Sequence, residues 1–473
     1  MRAPRLALTA LLGAAASLAL TACPMQIVIF QVNLENPNLR VGERTMVRLE
    51  AQVGWFRQPF FYYRAERGRL VGLNGETAPQ GGYLRAGNQV WYHAPYTASY
   101  PSAEGIRQND TIEIIAQDGP YTTRTQRVVT ITGSTVVFAS TDNNGPNGTL
   151  MTAIDSGGGQ MQSQPQPLLD LSKQPIKGSS PVISPNGERI AFVYYPGDGT
   201  SKVAMRDAAG QVLYLTNFNR GLALDPSWSP NGSYLLFASN HADDSAGTYD
   251  IYMMNVDQNS GGGRAITRLT SNTWDERHPA WNPLPTAPED RIIAVSARAN
   301  SMNTPGDRTQ NWNIFLMNRR GTYTRSVSDM QGDGSNWAVE PAWHPNGQLL
   351  AYTRFGPVVN YQSGANKFQR IFVQDLAQST AITPLNISNT DPMGRESSPI
   401  WSVDRLNTLY FLRTEANSPN ISRIFQTQYL PGNVGGNTFP PQLVAPFQSL
   451  MLPLTLVGGT NRDISGFHPL DWR

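Results

Sequence analysis

A short motif that returns six times constrains the fold of this chain more than any other feature. It consists of a proline, a spacer, an aromatic or aliphatic residue, a small polar residue or histidine, and then Pro-Asn-Gly or a remnant of it. The copies occupy residues 181–187, 226–232, 279–283, 341–347, 399–404 and 469–472. A self-similar unit repeated along a chain is the sequence pattern of a repeat architecture.

Each copy is followed by the same order of strand-like segments. The first segment comes directly after the motif, at residues 190–194, 234–239, 291–296, 349–353 and 408–412. After a variable polar loop comes the second, at residues 203–206, 250–255, 313–318, 370–375 and 422–426. A short last segment is typified by residues 265–270. Together with the motif strand this makes four strands per repeat, which is the composition of a β-propeller blade.

The residues of the motif suit that position. Pro-Asn-Gly favours a tight turn, because proline fixes φ and asparagine and glycine tolerate positive φ. A proline is tolerated on an innermost strand, since one edge of that strand faces the channel. The tryptophans are large enough to pack between neighbouring blades, so we predict them to be core residues: Trp228, Trp281, Trp343 and Trp401.

The two ends of the repeat region indicate the number of blades. Residues 136–140 match the strand after a motif, but no motif precedes them. Residues 466–472 supply a motif with no strand after it. Combining them gives one composite blade beside five others, and the C-terminal strand then closes the ring and removes open sheet edges. The sequence thus predicts a six-bladed propeller over residues 134–473.

The repeat resembles that of the TolB family, whose copies read Pro-x-Trp-Ser-Pro-Asp-Gly; here the fullest copy reads Pro226-Ser-Trp-Ser-Pro-Asn-Gly232. The resemblance covers residues 134–473 and implies a TolB-like six-bladed propeller. Two departures argue against equivalence with TolB itself. TolB is a soluble periplasmic protein with an α/β N-terminal domain, whereas this N-terminal region reads as all-β and lipidated.

Residues 23–133 predict a small β-domain. In the segment 45–53, Val47, Leu49, Ala51 and Val53 alternate with polar residues, which is the period of a half-buried strand. Similar segments separated by glycine-rich turns favour a sandwich. The stretch 91–95 resembles the Tyr-x-Ala-Pro pattern of bacterial immunoglobulin-like modules. An aromatic group, Trp55, Phe56 and residues 60–63, is either a binding face or core with an ordinary exposed edge.

The first residues predict export and lipidation. Arg2 and Arg5 precede an apolar run over residues 6–20, which matches a signal peptide and is short for a membrane span. Leu20-Thr-Ala-Cys23 resembles the lipobox of bacterial lipoproteins, and Cys23 is the only cysteine. The resemblance implies cleavage after residue 22 and lipid on Cys23. Pro24 in place of aspartate favours the outer membrane.

Composition narrows the functional classes. Charged residues make up 15%, the formal net charge is +2, and no Lys/Arg run tracks phosphates, so we expect no nucleic-acid partner. The chain contains no Gly-x-Ser-x-Gly, His-Glu-x-x-His or phosphate-binding glycine loop. We therefore expect no catalysis and no cofactor.

Residues 142–145 lack the distal glutamate of a calcium loop, so a hairpin turn is favoured there.

The residue before each motif proline is the candidate functional position. If the blades close, these six side chains form a ring around one mouth of the channel: Ser180, Asp225, His278, Glu340, Ser398 and His468. Neighbouring loops are expected to add Asp275, Glu276, Arg277, Arg395 and Glu396. Such a ring could hold a peptide segment, a sugar or a cation, and histidine with carboxylates could bind a divalent metal. The alternative is that these side chains cap strands and order channel water.

These observations predict a lipid-anchored envelope protein that binds a protein or glycan partner through a propeller. Two alternatives stay open: a TolB-like component of a trans-envelope assembly, and a lyase or hydrolase with its site in the channel mouth.

Overall fold

The computed structural model shows an all-β protein. It describes the following residues: 28–40, 43–52, 59–78, 82–95, 100–102, 105–107, 109–132, 134–140, 147–155, 165–242, 248–257, 264–284, 286–299, 311–328, 337–356, 368–376, 382–384, 395–401, 408–414, 422–428 and 442–443. Two compact units divide the chain: residues 1–95 with 109–131, and residues 96–108 with 132–473. Within the described residues no helix is long and apolar enough to cross a membrane.

The first unit is built from two antiparallel sheets. Up to residue 132 the strands in chain order are β1 (Val28–Leu34), β2 (Asn38–Arg40), β3 (Arg44–Gln52), β4 (Phe60–Ala65), β5 (Arg69–Gly72), β6 (Leu84–Ala86), β7 (Gln89–His93), β8 (Tyr100–Ser102), β9 (Gly105–Arg107), β10 (Asn109–Asp118) and β11 (Tyr121–Thr132). One sheet has the order β1-β3-β7-β5 and the other β2-β11-β10-β4-β6, while β8 and β9 form a separate hairpin whose residues belong to the second unit. The sequence predicts the longer strands; it misses β2, β5, β6, β8 and β9, which are too short to show a period.

A buried carboxylate joins the two sheets of this unit. Asp110 of β10 accepts hydrogen bonds from the backbone N–H groups of Arg67 and Gly68, at 3.0 and 2.7 Å, and from the Tyr92 hydroxyl of β7 at 2.6 Å. Burial raises the pKa of Asp110, and these donors oppose the shift. Because an unsatisfied buried polar group is costly, the full set of donors fixes the position of β7 against β10.

The second unit repeats one four-stranded antiparallel sheet. Its strands are β12 (Ser134–Ser140), β13 (Gly148–Asp155), β14 (Gln166–Pro167), β15 (Lys177–Ile183), β16 (Ile190–Tyr194), β17 (Lys202–Arg206), β18 (Val212–Tyr214), β19 (Ala223–Trp228), β20 (Tyr234–Ser239), β21 (Asp250–Asn255), β22 (Ile266–Arg268), β23 (Glu276–Trp281), β24 (Ile293–Arg298), β25 (Trp312–Met317), β26 (Tyr323–Ser326), β27 (Trp337–Trp343), β28 (Leu349–Gly356), β29 (Phe368–Asp375), β30 (Ile382–Pro384), β31 (Arg395–Trp401), β32 (Thr408–Thr414), β33 (Ser422–Gln428) and β34 (Gln442–Leu443). A single 3-10 turn, Glu289–Arg291, precedes β24 among the described residues.

Five blades follow one another from β15 to β34, each with its strands paired in chain order. Their first strands, β15, β19, β23, β27 and β31, contact one another in succession. This is the arrangement of innermost strands in a propeller. Before them, β12 pairs with β13 and β13 with β14, the order of the last three strands of a blade. The motif at residues 469–472, predicted to complete that blade, lies outside the described residues.

The four predicted core tryptophans are buried. Three donate their indole N–H to a backbone carbonyl of the preceding innermost strand: Trp228 to Val182, Trp343 to Ala280 and Trp401 to Ala342, at 3.1–3.2 Å. Each tryptophan therefore joins two blades by packing and by one hydrogen bond. The predicted turns are present as well, with φ of 73°, 70° and 65° at Gly187, Gly232 and Gly347.

Candidate functional site

The residue before each motif proline has an unusual backbone. Five such residues have left-handed φ angles: Ser180 at 47°, Asp225 at 55°, His278 at 50°, Glu340 at 58° and Ser398 at 53°. This region is disfavoured for any residue with a Cβ, and residues before proline normally adopt extended conformations. Five equivalent positions thus share one strained conformation.

A β-bulge accompanies each of these residues. The register between the first and second strand of every blade shifts at this point: between Ser179 and Val182, Leu224 and Ser227, Arg277 and Ala280, Val339 and Ala342, and Ser397 and Ile400. A bulge bends the strand and turns a side chain in a new direction. The structure places all five of these residues within the innermost strands.

We call the five left-handed residues the polar ring. In four of the five innermost strands the residue before the ring residue and the proline after it are both buried, and in the strand of Ser180 the proline, Pro181, is half-buried. The ring residue itself is in contact with solvent in all five strands. Ser180 is exposed, and the side chains of Asp225 and His278 keep 14% and 16% of their surface. The bulge therefore gives a polar side chain access to solvent from within a closely packed strand.

Asp225 forms an ion pair with an arginine of the next blade. It accepts two hydrogen bonds from the Arg277 guanidinium, at 2.6 and 3.3 Å, and one from the backbone N–H of His278 at 3.1 Å. Burial alone would raise the pKa of Asp225, but Arg277 and His278 outweigh it and lower the pKa to about 2. The Arg277 guanidinium also lies over the Tyr249 ring, 4.8 Å from its centroid. The pair is a charge-compensated link between two blades.

Glu340 makes the same kind of link two blades further on. Its carboxylate accepts hydrogen bonds from the backbone N–H of Ser398 at 2.7 Å and from the Thr353 hydroxyl at 2.7 Å. The backbone N–H of Glu340 in turn donates to the Ser296 hydroxyl at 3.2 Å. In two of the blade junctions, then, a ring carboxylate binds the amide of the next ring residue.

His278 lies between these two carboxylates. Its Nε2 atom is 4.0 Å from Asp225 Oδ2, and its Nδ1 atom is buried with no hydrogen-bond partner among the described residues. Burial lowers the pKa of His278, Asp225 and Glu340 act in the opposite direction, and Arg277 adds to the lowering. A neutral imidazole presents one donor and one acceptor. The unpartnered Nδ1 atom has no exposed surface, so the part of the His278 side chain that reaches solvent lies elsewhere on the ring.

Several residues predicted to surround the mouth in loops are instead buried in the blades. Glu276, Arg277, Arg395 and Glu396 belong to innermost strands, and Asp275 directly precedes one. Asp275, Glu276, Arg277 and Glu396 are at most 3% exposed. Sequence spacing cannot distinguish a strand end from the loop before it, which explains the different placement.

Glu276 occupies a closed polar cluster. It accepts hydrogen bonds from the Thr270 hydroxyl, from Asn272 Nδ2 at 2.7 Å and from the Tyr323 hydroxyl at 2.6 Å. Burial raises the pKa of Glu276 to about 7, and the three donors oppose that rise. Glu396, at the equivalent position of the last described blade, accepts the backbone N–H of Ile371 at 3.5 Å. These contacts are structural, since the donors come from within the blades.

Two hydroxyls that support the ring were missed by sequence reasoning. Ser296 and Thr353 lie on second strands, opposite Arg277 and Val339. The same position is apolar in other blades, with Val193, Ala238 and Leu412. The sequence signal that could have identified them is a hydroxyl residue within an otherwise apolar second strand.

The remaining predicted positions lie outside the described residues: residues 1–22, Cys23, Trp55, Phe56, residues 142–145 and His468. No group of three or more His, Cys, Asp or Glu side chains suited to a metal ion occurs within the part of the chain that the structure describes.

Comparison with known sequences gives a limited match. No protein-family model matches the chain. An uncharacterised protein of Agrobacterium fabrum is 28% identical over 133 residues, which make up 28% of this chain and 40% of that protein. The chain thus spans about two-fifths of the length of the curated relative it matches.

Comparison with solved structures gives remote likenesses. TolB from Acinetobacter baumannii has a TM-score of 0.42 at 15% identity, covering 85% of this chain and 94% of its own. Hydrazine synthase from Kuenenia stuttgartiensis has a TM-score of 0.44 at 12% identity, covering 63% and 44%. A puromycin-hydrolyzing peptidase of Mycobacterium tuberculosis has a TM-score of 0.38 at 11% identity, covering 73% and 53%. All three TM-scores are under 0.5, so the architecture rests on the strand pairing of the chain itself.

Proposed function

We propose that this chain is a non-catalytic binding protein of the bacterial envelope, which captures a protein partner at the polar ring of a closed six-bladed propeller. The supporting observation is the shared left-handed backbone of the five ring residues. Glycine holds that conformation at the lowest cost, yet serine, aspartate, histidine and glutamate occupy it. Residues held in strained backbone conformations cluster at functional sites.

The chemistry of the ring favours a protein segment as the ligand. The ring displays two carboxylates and an imidazole, which accept hydrogen bonds, and two hydroxyls, which both donate and accept. A peptide brings backbone N–H and C=O groups together with ammonium or guanidinium side chains, and so can satisfy all of these. Bonds from Asp225 and Glu340 to the next blade hold the ring rigid, which reduces the entropy lost on binding.

Capture of partners in cells tests this proposal. The variant changes Ser180→Ala, His278→Gln and Glu340→Gln together and keeps Asp225, whose loss would leave Arg277 buried without its counter-ion. The matched control changes Leu171→Ser and Tyr214→Ser, two exposed residues of the same unit away from the ring. Proteins crosslinked to each full-length variant in intact cells are quantified by mass spectrometry.

We expect the amount of the main crosslinked partner to fall at least ten-fold in the ring variant. In the control variant that amount should be unchanged. Thermal unfolding of both variants shows whether the fold is retained. If a folded ring variant captured the same partners as the control, the ring would be a structural device only and the proposal would be wrong.

We further propose that lipid on Cys23 anchors the mature chain in the outer membrane and that residues 23–133 form an immunoglobulin-like spacer. The basis is the lipobox resemblance of residues 20–23 and the two facing sheets of the first unit. Several acyl chains on one residue anchor a protein stably, whereas one binds only marginally.

We expect Cys23→Ser to move the protein from the membrane to the soluble fraction. A Cys23→Ser protein that remained fully membrane-bound would contradict this anchor.

A further inference from the structure

We infer that the first unit carries a second binding site, a polar cleft on its five-stranded sheet that takes a neutral oligosaccharide. The cleft has a volume of about 450 Å³ and is lined by Arg64, Ala65, Glu66, Thr111, Glu113 and Gln126. That volume lies within the roughly 300–1,000 Å³ of small-ligand pockets. The cleft belongs wholly to the first unit, so the inference does not depend on the function of the polar ring.

Strand register aligns the polar groups of the cleft. Glu113 of β10 pairs with Arg64 of β4 on one side and with Gln126 of β11 on the other. Paired residues of adjacent strands project from the same face. The inward face of β4 is marked by Phe61 and Tyr63, both buried, so the row Arg64, Glu113 and Gln126 lies on the outward face. Three planar polar groups thus stand side by side across three strands.

Glu113 holds two arginines in place. Its Oε2 atom lies 2.9 Å from the Arg64 guanidinium, and its Oε1 atom lies 3.5 Å from that of Arg124. The Tyr83 hydroxyl donates to Oε2 at 2.7 Å, and the Arg64 guanidinium lies 5.0 Å from the centroid of the Tyr83 ring. Arg64 is therefore fixed by an ion pair and by stacking, although its side chain is at the surface.

The fixed arginines retain capacity for a ligand. The side chains of Arg64 and Arg124 are 47% and 67% exposed, against 12% for Glu113. A guanidinium carries five N–H donors, more than a shared carboxylate can accept. Because the arginines are already held in position, a ligand that binds them loses less side-chain entropy than at an ordinary surface arginine.

The balance of charges selects the ligand class. The cleft lining contains Arg64, Glu66 and Glu113, and Arg124 pairs with Glu113, so a charged ligand of either sign meets like as well as opposite charges there. Sugar hydroxyls donate and accept at once, which suits guanidinium donors next to carboxylate and amide acceptors. Val128, 54% exposed and paired with Thr111 at the edge of the cleft, adds an apolar contact for the C–H face of a sugar ring.

A second ion pair on the same unit offers a matched control. Arg48 and Glu35 are 2.6 Å apart with 53% and 47% of their side chains exposed, and Arg48 lies on β3 of the other sheet. The test screens the full-length chain in detergent against an array of neutral oligosaccharides, acidic oligosaccharides and peptides. Calorimetry then measures the affinity of the strongest neutral oligosaccharide for wild type, Arg64→Ala, Gln126→Ala and Arg48→Ala.

We expect a neutral oligosaccharide to bind with a Kd below about 1 mM. Arg64→Ala and Gln126→Ala should each weaken it at least ten-fold, and Arg48→Ala should leave it unchanged. Arg64→Lys keeps the positive charge but loses the planar guanidinium, so it should also weaken oligosaccharide binding. This variant tests the inference if Arg64→Ala does not fold. Absence of neutral-sugar binding, preference for acidic sugars or peptides, or equal weakening by Arg48→Ala would overturn the inference. None of these outcomes bears on partner capture by the polar ring.

Discussion

At the scale of single residues, the second unit separates its charged groups into two kinds. Ring residues such as Asp225 and Glu340 reach solvent and bind the amide of the next blade. Glu276 lies only two positions before His278 but is fully buried among Thr270, Asn272 and Tyr323. The same short stretch of β23 therefore contains both a fully buried carboxyl group and a ring side chain, His278, that reaches solvent.

The protonation of Glu276 gives a pH-dependent stability. Its pKa rises from 4.5 to about 7 on folding, so the folded chain binds more protons than the unfolded chain between these values. Stability therefore falls as the pH rises through this window, by roughly 3 kcal/mol if the whole shift is realised. We expect Glu276→Gln to remove this dependence, because an amide keeps a neutral donor and acceptor at the site.

Thermal unfolding of wild type and Glu276→Gln at pH values from 5 to 8 checks this prediction. The exposed Glu289→Gln serves as control and should behave as wild type. An unchanged slope of stability with pH in Glu276→Gln would show that another group is responsible.

At the scale of the element, the innermost strand combines a bulge, a left-handed residue and a proline. The proline removes an N–H that would otherwise need a partner, and the bulge accommodates the extra residue. In three blades, a tryptophan donates a hydrogen bond to the innermost strand of the preceding blade. The motif is thus a device for joining blades as well as for displaying one polar side chain.

Strain in this element is measurable at Ser180, which is exposed and has a φ of 47°. We expect Ser180→Gly to raise the free energy of unfolding by about 1 kcal/mol, because glycine adopts positive φ freely. Lys177→Gly, at an exposed position of the same strand with ordinary φ, should instead lower it. Denaturant unfolding distinguishes the two; a destabilised Ser180→Gly would mean that the backbone is not strained there.

The element scale also shows what sequence reasoning could and could not provide. The Pro-Asn-Gly turns and the interblade tryptophans follow from local chemistry, so Gly187 and Trp343 were predictable. The left-handed angle at Asp225 was not, because residues before proline favour extended backbone and the bulge depends on pairing with β20. The burial of Glu276 depends on Tyr323, 47 residues away, which no local pattern reveals.

At the scale of the whole molecule, the proposed closure of the ring by the C-terminal motif would connect fold and function. The described strands β12, β13 and β14 have the order of a blade that lacks its first strand. We expect deletion of residues 466–473 to lower the thermal midpoint by several degrees and to promote association, since an open sheet edge pairs with other chains. Calorimetry with light scattering tests this; an unchanged midpoint in a monomeric truncated chain would argue against closure by the C-terminal strand.

Capture of a partner at the polar ring is the central claim, and hydrogen–deuterium exchange of the full chain with and without its captured partner tests it most directly. We predict slower exchange on binding for the innermost strands around residues 180, 225, 278, 340 and 398, with the outer strands β18, β22 and β26 unchanged. Protection confined to the outer strands, or to the first unit, would contradict it.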